Sequence, residues 1–191
     1  MGYSISWCAV RETEAAAFLA ELGLSATGKT EEIPESDRCS GRLDTGWRLV
    51  WFNDYDPREI SDSKLATLSV KRELLLCRVE EHCMASSAEY WARGSRAWWI
   101  GHEGENGPKG LEVEGLPPAG FPGIRAEMER QQRDAGGDAA DVDYIFEIPL
   151  MVAREIAGFK HDEGEEHVID GRYEVLEPVA TGGFLARVFG K

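Results

Sequence analysis

Residues 74–103, LLLCRVEEHCMASSAEYWARGSRAWWIGHE, constrain the fold of this chain more than any other stretch. Apolar runs separated by short polar breaks predict an antiparallel β-meander here. Arg93-Gly94 is a two-residue hairpin turn, because glycine tolerates positive φ. Such a turn sets Trp91 opposite Arg96, Glu89 opposite Trp98, Ser87 opposite Ile100 and Ala85 opposite His102. Strand alternation then predicts that those eight side chains share one face, with Tyr90, Ala88, Ala97 and Trp99 on the other. The stretch holds two of the four histidines, two of the four cysteines and three of the six tryptophans. A site is expected here first.

The rest of the chain supplies helices for this sheet. A strand over 3–10 is followed by a helix over 12–22, whose Ala15, Phe18, Leu19 and Leu22 fall on one face before Gly23. Residues 24–42 read as loop with one short strand, 47–52 as a strongly apolar strand, and 63–68 as a short helix. A short alternating strand covers 111–115. Phe121, Ile124 and Met128 mark a helix running to 134, with Pro122 near its first turn. Residues 135–141 read as a flexible linker and 143–149 as extended. A helix over 150–157 starts after Pro149 and stops at Gly158.

From His161 the composition turns acidic, and Val168 to Tyr173 carry a hairpin signal centred on Asp170-Gly171. The expectation is therefore α+β: an antiparallel meander sheet with two or three helices packed on it, plus a C-terminal hairpin tail. A single domain over 1–160 would be followed by an acidic run and hairpin arm over 161–191. That arm would pack on the main domain or on a neighbouring copy, the latter a route to a homo-oligomer.

Charge narrows the function classes. The chain has 21 basic and 35 acidic residues, a net charge of −14. Sequence-independent nucleic-acid binding rests on Lys and Arg neutralising phosphates, so it is disfavoured, as is an anionic membrane surface. A basic protein partner fits the charge. Cys8, Cys39, Cys77 and Cys83 form no C-x-x-C pair, and no apolar run is long enough to span a bilayer. The reading is a cytoplasmic protein with reduced thiols.

Two constellations carry chemistry. Glu81, His82, His102 and Glu103 gather near one rim if the strand before Met84 folds back on the one after it. As acid/base groups these four would serve a small hydrolase. As ligands, His82 and His102 are the metal candidates, although none of the established metal spacings is present. Glu89, Trp91, Arg96 and Trp98 form the second set, a binding face of aromatic rings and paired charges, in which Arg96 can neutralise Glu89. Cys83 is the better candidate for an exposed thiol. Asp138, Asp141 and Asp143 lack the spacing of a calcium loop. No motif asks for a cofactor.

The segments VEEHCMASSAEYW, WWIGHEG, FPGIRAEMERQQ and GGDAADVDYIFEIPLMVAREIAGFKHDE resemble a group of uncharacterised bacterial proteins of about this length. The resemblance spans most of 1–163 and implies a bacterial cytoplasmic protein. It brings no activity and no site residues. Two readings arise from the residues themselves. The first is a protein-binding module of the immunity or antitoxin kind that engages a basic partner. The alternative is a small hydrolase or metal-assisted enzyme with its site on the meander.

Overall fold

The 74–103 run folds as three antiparallel strands, but they are only part of a nine-stranded sheet. A computed structural model of the chain describes residues 2–163 and 167–179. In chain order the strands are β1 (Ser4–Arg11), β2 (Leu24–Glu31), β3 (Arg38–Arg42), β4 (Trp47–Phe52) and β5 (Leu74–Glu80). They continue with β6 (Ala85–Ala92), β7 (Ser95–Glu103), β8 (Leu111–Gly115) and β9 (Tyr173–Pro178). The helices are α1 (Ala15–Leu22), α2 (Asp62–Leu68), α3 (Phe121–Asp134) and α4 (Glu147–Ala157). Neighbouring strands are antiparallel in the order β2-β9-β3-β4-β1-β5-β6-β7-β8. The fold is α+β, with helices on both faces of the sheet.

Alternation along the strands divides the core in two. Cys8, Val10, Val50, Phe52, Leu74 and Leu76 meet Phe18 of α1 and Leu65 of α2 on one face. Trp7, Leu49, Leu75, Val79 and Ile100 meet Met128 of α3 and Ile148, Leu150 and Val152 of α4 on the other. Each such side chain, fully buried, contributes roughly 1.5–3 kcal/mol of transfer free energy. A sheet apolar on both faces needs two helical layers, which explains why helices cover both. Among the described residues, no helix is long and apolar enough to cross a membrane.

Two local expectations are corrected. Residues 24–42 hold two strands, β2 and β3, with an irregularity in β2 between Ala26 and Thr30, where Gly28 sits at φ 78°. Residues 147–149 are helical, because proline in a first turn gives up an N–H that has no intrahelical acceptor. The Asp170-Gly171 turn is present, with φ of 66° and 58° and the Gly171 N–H donating to Val168 at 2.9 Å. The strand after this turn is a full member of the sheet: β9 lies between β2 and β3. The rest of the expected arm, 180–191, lies outside the described residues.

The register of the meander departs from expectation at one residue. Arg93 and Gly94, at φ 56° and 78°, form the hairpin turn and set Trp91 opposite Arg96, as predicted. Beyond that pair the register shifts, so that Tyr90 faces Trp98, Ala88 faces Ile100 and Ser86 faces His102. Ala97 is the extra residue of a β-bulge. A one-residue slip moves every later side chain to the opposite face. Trp98 and His102 therefore lie under α4, while Glu89, Trp91 and Arg96 lie on the side of α2.

Candidate functional site

The entry to α4 is built by side chains reaching out from the sheet. Asp143 Oδ1 accepts the backbone N–H groups of Ile145 at 3.0 Å and Phe146 at 3.3 Å, satisfying donors that a helix start leaves open. Its Oδ2 lies 2.8 Å from Nε2 of His102 on β7. Ser86, directly across from His102, donates to the carbonyl of Phe146 at 2.7 Å. Gln132 of α3 accepts the Tyr144 N–H and donates to the Gly137 carbonyl, both at 2.7 Å. These bonds fix the segment that the sequence reads as a loose linker.

A groove of about 680 Å³ opens between this segment, α3, α4 and the β5–β6 turn. Glu81, Asp143 and Glu147 line it, together with Met84, Met128 and Met151. Each carboxylate has a partner behind it. Glu81 accepts the Tyr3 N–H at 2.9 Å and lies 3.3 Å from Nε2 of the buried His161. Glu147 lies 3.0 Å from Nζ of the buried Lys160, which also contacts Asp162 at 2.7 Å. Burial pushes the Asp143 carboxyl up, but the hydrogen bond and charge of His102 and the two backbone N–H groups hold it below its ordinary range. Burial pulls the Lys160 ammonium down, and its bonds to Asp162 and Glu147 overcome this and raise it. The groove therefore presents fixed negative charge beside flexible thioethers, a surface suited to a cationic side chain with an apolar stem.

The four residues predicted to act together are separated. Glu81 faces this groove. His82 is exposed in the β5–β6 turn, its Nδ1 2.7 Å from Glu80, whose other oxygen accepts from Ser4. Those two bonds hold the Glu80 carboxyl below its ordinary range. His102 is 1% exposed, with Nε2 occupied by Asp143 and Nδ1 enclosed without a partner among the described residues. Glu103 lines a different recess with Tyr55, Cys83 and Glu105. Because strand parity sends Glu80 and His102 to opposite faces, the two imidazoles do not share a pocket. Among the described residues, no group of three or more His, Cys, Asp or Glu side chains is arranged to hold a metal ion.

The second predicted set is largely buried and divided between the two faces of the sheet. Glu89 is 1% exposed and takes Arg78 and Arg96 on its two oxygens. Arg96 also bonds Glu114 at 2.7 Å and lies 6.0 Å from the Trp91 ring and 5.9 Å from the Trp99 ring. Trp91 is buried on that face. Trp98 is buried on the other, stacked on Tyr90 with centroids 6.0 Å apart. The bulge at Ala97 is the physical reason the four do not form one surface.

Sequence reading missed Asp143, Glu147, Lys160 and His161. An Asp four residues before Glu147 is a helix-start signal in hindsight. Nothing local marks Lys160-His161, which come after the Gly158 helix stop and look like the head of a solvated acidic run. Comparison with protein-family models, with curated proteins and with solved structures found no match for this chain.

Proposed function

We propose that the chain is a binding module for a basic protein partner, of the general kind represented by immunity and antitoxin proteins, and that the groove receives a lysine or arginine of that partner. The observation that carries this reading is the convergence of Glu81, Asp143 and Glu147 on one groove with three methionines. A net charge of −14 supports it by steering a cationic partner toward the molecule. The thioethers support it by packing against the methylene stem of a long basic side chain.

Titration with fluorescein-labelled octalysine at low and high salt tests the reading. Wild-type protein binds in a salt-sensitive way. Replacing Glu81 and Glu147 with Gln weakens binding by about tenfold, the scale of a lost charge-assisted hydrogen bond. Met151→Lys, which fills the groove with the chain's own cation, does the same. Glu127→Gln with Glu129→Gln removes equal charge from the exposed face of α3 and leaves binding nearly unchanged. Equal losses in the two double variants would sink the proposal.

A further inference from the structure

We propose that a second recess, beyond His161 from the groove, binds a guanidinium group supplied by an arginine of the basic partner. The source of that arginine rests on the reading above; the recess itself is argued from its own walls. Its volume is about 230 Å³, and Tyr3, Ile33, Pro34, Trp51 and Tyr173 line it with His161 and Asp162. Tyr3 and Ile33 are 41% and 60% exposed and stand at the surface, whereas Trp51 and Tyr173 are each 2% exposed and lie deep. A cation entering there meets aromatic rings before it meets charge.

Aromatic faces attract cations, and guanidinium most readily because it is planar and weakly hydrated. The chain already uses this contact. Arg11 sits 3.9 Å over the ring of Trp47, which shares a face of β4 with Trp51 four residues later. Trp51 instead meets Tyr3 and Phe159 edge to face.

The charges around the recess favour a cation. Lys160 is the ammonium shared by Asp162 and Glu147, and Glu81 is paired with His161 rather than with a lysine or arginine. Three carboxylates, Glu81, Asp162 and Glu147, thus meet one lysine ammonium at the joint between recess and groove.

His161 backs the recess: its side chain is 2% exposed, and its Nε2 lies 3.3 Å from the Glu81 carboxylate. A planar guanidinium stacks on an aromatic face, a fit that a tetrahedral quaternary ammonium lacks.

The test is a titration followed by the indole N–H signal of Trp51 in the full chain, with ethylguanidinium, tetramethylammonium and N-ethylurea as probes. Ethylguanidinium shifts the signal saturably, tetramethylammonium binds more weakly, and N-ethylurea, which lacks charge, produces no saturable shift. Tyr3→Ala weakens ethylguanidinium binding by about threefold to fivefold, the scale of one cation–π contact. Ile33→Lys, at a position exposed enough to spare the fold, abolishes it. Equal binding of tetramethylammonium would overturn the preference for a planar guanidinium. No ethylguanidinium binding to wild type, or unchanged binding in Ile33→Lys, would overturn it entirely. A saturable ethylguanidinium shift in a protein that ignores octalysine would leave the recess standing and the groove reading fallen; the converse result would do the reverse.

Discussion

Asp143 and His102, 41 positions apart, join the mouth of the groove to the interior of the sheet, with Oδ2 of one 2.8 Å from Nε2 of the other. One carboxylate thereby both starts α4 and satisfies a buried imidazole. Asp143→Ala should lower the unfolding free energy by about 2–3 kcal/mol, from about 1 for the helix cap and about 1–2 for the stranded ring nitrogen. Asp143→Asn keeps an acceptor for the N–H groups and should cost less. Urea unfolding of the two variants against wild type checks the order.

The same carboxylate predicts an acid limb in stability. Its folded pKa lies below the ordinary value of 3.8, so the unfolded chain binds the proton first as pH falls. The contribution is complete above 3.8 and is lost as pH drops through the lower, folded value. Asp162, held down by Lys160 against the upward push of burial, acts in the same direction. Lys160 has the opposite sign: raised above 10.5, it contributes below that value and loses the contribution as pH rises through its folded pKa. A pH series of urea midpoints should show the acid limb shallower in Asp143→Asn.

Glu89 holds two arginines from inside the sheet, so its removal takes the close partner from the mostly buried Arg78, while Arg96 keeps Glu114. Glu89→Gln should destabilise by about 3–5 kcal/mol. Arg96→Ala, at the more exposed end of the same network, should cost about 1 kcal/mol or less. Thermal unfolding of both variants distinguishes a buried network from a surface one; equal small losses would mean Glu89 is not the hub.

Ala97 carries no chemistry, yet its deletion should be worse than most substitutions in the core. Without the bulge residue, Trp98 and His102 would turn toward α2 and Trp99 toward α4, exchanging one core for another. The deletion variant should lose its cooperative unfolding transition, whereas Ala97→Ser should keep it.

Thiol chemistry offers a simple check on the layers. Cys8, Cys39 and Cys77 are buried, and burial pushes all three thiols far up, while Cys83 is exposed in the β5–β6 turn. Native protein should take one equivalent of a maleimide at Cys83, and urea should release the other three. Fast labelling of Cys77 in native protein would contradict the packing of α4 on β5.

Legibility in the sequence tracks the range of the interactions involved. Arg93-Gly94, Gly23 and Gly158 act on their immediate neighbours, and each turn or helix end falls where these residues predict. The bulge at Ala97 was hidden because an alternation count assumes two matched strands and Ala97 is small enough for either face. Only one short strand is legible in 24–42: β2 pairs with the distant β9 and is broken near Gly28, whereas β3 pairs mostly with its chain neighbour β4. The groove was hidden for the same reason as β2: Glu81, Asp143 and Glu147 become neighbours only through the hairpin turn and the cap of α4. His161 in turn reaches Glu81 across 80 positions.

The placement of β9 has a consequence for the chain before that strand is made. Among the described strands β2 pairs with β9 alone, and Thr27 of β2 donates to Val175 of β9 from 148 positions away. A chain halted on the ribosome or clipped before residue 173 leaves β2 unpaired and one side of β3 bare. Both would offer free backbone groups to strands of other chains. Synthesis of β9 is thus also what covers these backbone groups, and products cut before residue 173 should be found in the insoluble fraction.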